Sequence, residues 1–89
     1  MHRMVTERLN RSLDVYESDQ FSAQLTEALV RIPRLEVRSD YRELVSQISR
    51  YASKFPIGPN GFRVGNRDEV EIEFEIIDDR RLVLISLYV

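Results

Sequence analysis

Apolar residues recur along this chain with two different periods. Up to about residue 55 they return every three or four positions, and from residue 69 they alternate with polar ones. The first spacing is that of a helix face, the second that of a strand. Val5, Leu9, Leu13 and Tyr16 predict a helix over 4–17. Phe21, Leu25, Ala28, Leu29 and Ile32 predict a second over 19–31, with Asp19 as N-cap and Pro33 ending it. Residues 34–37, RLEV, read as an extended connector or edge strand. Tyr41, Leu44, Val45, Ile48, Tyr51, Ala52 and Phe55 predict a third helix over 40–54, opened by a capping-box-like Asp40 and Glu43 and stopped by Pro56.

Residues 56–61, PIGPNG, carry turn chemistry. A short strand over 62–64 follows, turned by Gly65-Asn66, and two long strands cover 69–77 and 81–89. The links between strands are too short for a crossover, so the strands are expected to form a meander. The order predicts a single α+β domain over 1–89: two to three N-terminal helices on one face of a C-terminal antiparallel sheet of two to three strands.

The last hairpin holds the sharpest pattern. Val70, Ile72, Phe74 and Ile76 fall on one face of the first arm, and Glu69, Glu71, Glu73 and Glu75 on the other. The second arm, RLVLISLYV, is apolar on both faces. A two- or four-residue turn pairs Ile76 with Arg81, Phe74 with Val83, Ile72 with Ile85 and Val70 with Leu87. Leu82, Leu84 and Tyr88 then share the glutamate face. A three-residue turn would slip the register and exchange the faces. A strand apolar on both sides needs two covers, so the outer one is expected to be the first helix or a second chain. Placing 81–89 in the middle of the sheet would also protect its edges.

Composition narrows the chemistry. The chain has 89 residues, 43% apolar and 31% charged, and no cysteine. Disulfides, thiolate metal sites and cysteine nucleophiles are excluded, and a reducing, cytoplasmic setting is expected. No apolar run is long enough to span a membrane, and the first residues lack the apolar core of a signal peptide. His2 stands alone, which leaves no Ser–His or zinc chemistry. GPNGFRVGN has neither the spacing nor the lysine of a phosphate loop. The glutamate ladder reads as a solvated face, its neighbours about 6.6–7 Å apart and too distant for one ion to bridge. No cofactor or metal is expected.

Net charge is −2, and the basic residues are twelve arginines and one lysine, Lys54. Residues 1–54 sum to +1 and residues 55–89 to −3. Arg31, Arg34, Arg38 and Arg42 recur every three or four positions, interleaved with Glu36, Asp40 and Glu43. They read either as locally paired charges or as a basic strip for phosphate.

The C-terminal run GFRVGNRDEVEIEFEIIDDRRLVLISLYV, preceded by helices, resembles in layout the second half of RelE/ParE-type toxins. In those proteins two helices precede an antiparallel sheet. The resemblance implies a nucleic-acid-directed domain using Arg31, Arg34, Arg38, Arg63 and Arg67. The chain departs from it in three ways: no leading strand is predicted before the helices, the end is ISLYV rather than basic and aromatic, and the charge is acidic. No catalytic residue is carried over.

The leading expectation is a non-catalytic protein-interaction module. It would form a homodimer or bind a partner protein through Leu82, Leu84 and Tyr88, with Glu71, Glu73 and Glu75 selecting an arginine-bearing partner. Nucleic acid is the disfavoured partner, and no membrane partner is expected.

Overall fold

A computed structural model of the chain describes residues 12–32 and 34–89. It is an α+β arrangement of two helices followed by three strands, with one further strand before the helices. The elements run β1 (Asp14–Glu17), α1 (Asp19–Arg31), α2 (Leu35–Tyr51), a 3₁₀ turn (Ala52–Lys54), β2 (Arg63–Arg67), β3 (Val70–Ile76) and β4 (Arg81–Tyr88). The sheet has four strands in the order β1-β4-β3-β2 and is mixed, because β1 runs parallel to β4.

Several expectations are corrected. Residues 14–17 form β1, not the end of a helix over 4–17; residues 4–11 of that expected helix lie outside the described residues. The helical spacing of Leu13 and Tyr16 is coincidental: Leu13 and Val15 pack against the core, while Tyr16 is exposed. The sheet therefore has four strands rather than two or three, and one of its pairings is parallel. α1 keeps its expected span, but its N-cap is Ser18, whose hydroxyl accepts the Phe21 N–H at 3.0 Å. α2 starts at Leu35, a turn before Asp40, because Val37 extends the apolar stripe one turn back to the core. Its N-cap, Arg34, makes no side-chain cap bond.

β2 runs to Arg67, so Gly65-Asn66 is strand rather than turn; the turn falls at Asp68, which takes φ 53°. Gly65 is favoured there by close approach. A Cβ would sit 3.0 Å from the Phe55 ring and 3.1 Å from a Leu44 methyl.

One core joins the helices to the inner sheet face. Phe21 and Ala28 of α1, and Val37, Leu44 and Ile48 of α2, pack on Val70, Ile72, Phe74, Leu82, Leu84 and Leu87. Phe55 meets Phe74 edge-on at 5.7 Å between ring centroids. The start of β1 is tied to α2: the Leu13 N–H donates to the Ser49 carbonyl at 3.0 Å, and the Ser49 hydroxyl donates back to the Leu13 carbonyl at 2.7 Å.

The hairpin register is where the sequence expectation fails and why is clear. The Ile77 N–H donates to the Arg81 carbonyl at 2.9 Å, leaving a three-residue turn, Asp78 to Arg80. Ile76 then faces Leu82 and Phe74 faces Leu84. Beyond that pair the register shifts: Glu73 faces Ser86, Ile72 faces Leu87 and Glu71 faces Tyr88. Ile85 is the extra residue of a β-bulge, and it changes the phase of β4. Before it the even-numbered residues face inward, and after it Leu87 does.

The bulge is held in place. The Ser18 hydroxyl that caps α1 also donates to the Ile85 carbonyl at 3.0 Å, and the Ser18 N–H donates to the Leu84 carbonyl at 3.0 Å. Past the end of β1, the Gln24 side chain accepts the Leu87 N–H at 2.8 Å. The edge of β4 is thus paired first by a strand and then by helix side chains, which satisfies its backbone groups.

Candidate functional site

The site expected from sequence divides on the bulge. Leu82 and Leu84 are 0% and 1% exposed, inside the core. They are not available to a partner, because the three-residue turn rotates them inward. Tyr88 is 46% exposed on the outer face, opposite Glu71. Glu71, Glu73 and Glu75 share that face, but unequally: Glu75 is exposed, Glu71 half-buried and Glu73 only 4% exposed.

Residues that the sequence did not single out complete the surface. Val83 faces Glu75 and Tyr16 faces Val83. Val64 faces Glu73, and Asn66 faces Glu71. Val64, Val83 and Ile85 are half-buried and stand apart from the core cluster. Both described helices lie on the inner face, so among the described residues no helix covers the outer face, which carries an apolar strip edged by carboxylates. The only sequence signal for it was the two-sided apolarity of residues 82–88.

Residues 56–60 fold over one end of the outer face. Gly58 packs so closely on Val64 that a Cβ there would stand 2.6 Å from its methyl. The Gly58 N–H donates to the Phe62 carbonyl at 2.7 Å, and the Val64 N–H to the Pro56 carbonyl at 2.9 Å, closing the loop on β2. Between this loop and the hairpin runs a groove of about 430 Å³. Its walls are Pro56, Pro59, Val64 and Tyr88, and Glu71 and Glu73 line it as well. The Asn60 amide donates to Glu73 Oε2 at 2.8 Å and the Tyr88 hydroxyl to Glu73 Oε1 at 3.3 Å. The Asn66 amide donates to Glu71 Oε1 at 3.0 Å.

The arginines expected to contact nucleic acid are mostly engaged elsewhere. Arg31 pairs with Glu27 at 3.6 Å, Arg34 with Glu69, and Arg67 with Asp40 at 3.5 Å. Arg63 donates to the Phe55 carbonyl at 2.7 Å. Arg38 lies beside Arg42 on the solvent side of α2, by a depression shared with Leu35, Ser39 and Glu43. Arg34 and Arg67 both form ion pairs at the corner between the start of α2 and the β2–β3 turn, whereas Arg63 is bonded at the other end of β2.

Tyr41 and Asp78 are clearly perturbed by their surroundings. Burial, helped by the Glu17 charge, raises the Tyr41 phenol above its ordinary value. Hydrogen bonds from the Arg81 side chain, then from the Arg80 N–H, hold the exposed Asp78 carboxyl below the usual range. Neither borders the groove. Among the described residues no three His, Cys, Asp or Glu side chains are grouped to hold a metal ion, and no helix is long and apolar enough to cross a membrane.

No protein family, curated protein or solved structure matches this chain.

Proposed function

We propose that the chain is a non-catalytic protein-interaction module that docks a basic, extended segment of another protein on the outer face of its C-terminal hairpin. One observation carries this reading. Val83 and Ile85, flanked by Tyr16 and Tyr88, lie on a sheet face that neither described helix covers, beside Glu71, Glu73 and Glu75. Apolar area edged by one sign of charge favours a partner of the opposite sign. A homodimer through the same face would set three glutamates against their own copies, so a different chain is the better fit.

A photo-crosslinking residue at Val83, with Ser46 on the exposed side of α2 as control, tests the reading in cells. A discrete adduct with another polypeptide from position 83 alone, weakened by Glu75→Arg, is the expected outcome. Equal adducts from both positions, or none from 83, would sink it. Light scattering should show a monomer.

A second reading has one observation in its favour. β1 stands before the two helices, which removes one departure from the RelE/ParE layout. A nucleic-acid-directed domain would show RNA affinity that falls steeply with salt. The engaged arginines predict weak binding with a shallow slope instead.

A further inference from the structure

Building on that docking reading, we propose that the groove beside Glu73 receives an arginine side chain of the docked segment. The guanidinium lies flat on the Tyr88 ring and donates to the Glu73 and Glu71 carboxylates.

The case starts from a buried charge. Glu73 is 4% exposed, yet the two groups among the described residues that bond its carboxylate, the Asn60 amide and the Tyr88 hydroxyl, are neutral. No arginine or lysine among the described residues pairs with it, although Glu27, Glu69, Asp40 and Asp78 each have an arginine. Removing a carboxylate from water without a cation is costly, and the usual remedies are pairing or replacement by an apolar residue. Here the carboxylate is instead held by an asparagine on a loop that also walls a groove. The Tyr88 bond at 3.3 Å is long, so Oε1 retains capacity for a stronger donor.

The groove's chemistry selects among cations. Glu71 and Glu73 lie two positions apart on the same face, with Cα atoms about 6.6–7 Å apart. An ammonium is a compact point charge that serves one of them, whereas a guanidinium fork presents donors toward both. Tyr88 supplies an aromatic face for stacking. Pro56, Pro59 and Val64 line the groove and can cover the methylene stem. A hard metal ion would need six or more oxygens, which two carboxylates held by amides do not supply.

The test is an NMR titration of the intact chain with Nα-acetyl-argininamide, its citrulline and lysine counterparts, and an extended peptide alternating valine and arginine. The arginine amide should move the side-chain amide signals of Asn60 and Asn66. The citrulline amide should bind at least ten-fold more weakly, and the peptide at least ten-fold more tightly. Glu73→Gln, folded by circular dichroism, should lose ten-fold or more, and Tyr88→Leu several-fold. Equal response to citrulline, or shifts confined to residues 34–43, would overturn the proposal. So would an amide binding as tightly as the peptide, which marks a small-cation site. Crosslinking at Val83 without an arginine response leaves the docking face standing and removes the arginine pocket. An arginine response without crosslinking removes the docking face and, with it, a docked segment as the source of the arginine.

Discussion

The two faces of this sheet use the same strands for different ends. The inner face is closed: six strand residues meet five helix residues in one core, and at its glycine, Gly65, a Cβ would press on the Phe55 and Leu44 side chains. Among the described residues the outer face is open over β4, where Val83 and Ile85 are half-buried, and is covered at one end by the loop over Val64. The switch between them is a single residue, Ile85, which lets Leu82, Leu84 and Leu87 all point inward although they do not share one alternation. A strand that looks equally greasy on both sides is therefore unequal in use: its leucines build the interior, and its β-branched residues are left outside.

Deleting Val83 should break this division most completely. Leu82 and Leu84 would become neighbours and one of them would turn outward, so the chain should lose its dispersed amide spectrum and its cooperative urea transition; a variant that still unfolds cooperatively would refute the alternation. Deleting Ile85 instead leaves Leu84, Ser86 and Leu87 opposite Phe74, Glu73 and Ile72, and should keep a cooperative fold. Leu84→Ala should next cost about 2–5 kcal/mol in chemical denaturation, a cavity-forming loss. Val83→Ala, one residue away on the other face, should cost less than about 1 kcal/mol; equal costs would mean the faces are not distinct. Gly65→Ala should cost about 1–3 kcal/mol by forcing Phe55 and Leu44 apart.

The smallest effect is at the hairpin tip. The folded state holds Asp78 below its unfolded pKa, so its contribution is present above the ordinary aspartate range and fades as pH falls through the depressed value. Asp78→Asn should therefore narrow its gap from wild type on acid titration, by an amount small enough to fit an exposed ion pair.

What could be read from sequence follows the length and purity of each pattern. α1 was legible because five apolar residues keep one face over thirteen positions and a proline follows. β1 was not, since four residues give a strand almost no period, and its partner lies 67 positions further on. The start of α2 was misplaced because Asp40 and Glu43 mimic a capping box while the observed N-cap bonds nothing. Leu82 and Leu84 were assigned to the wrong face because the acidic tip, DDR, hides a three-residue turn, and Ile85 then restores the expected phase for Leu87 and Tyr88. The glutamate face was legible, but not that Glu73 would be enclosed: its lid comes from Asn60, which the sequence marked only as turn.

The place of β4 in the sheet also bears on how quickly this chain reaches its native state. The last strand in sequence is an inner strand in space, so β1 has nothing to pair with until residues 81–84 are in position. Contacts of such separation carry a large loop-closure cost before they return any stability, which slows folding relative to a helical protein of equal size. Mixing experiments should find β1 docking late, after the β2–β4 meander has formed, with Val15→Ala accelerating unfolding while leaving the folding rate nearly unchanged.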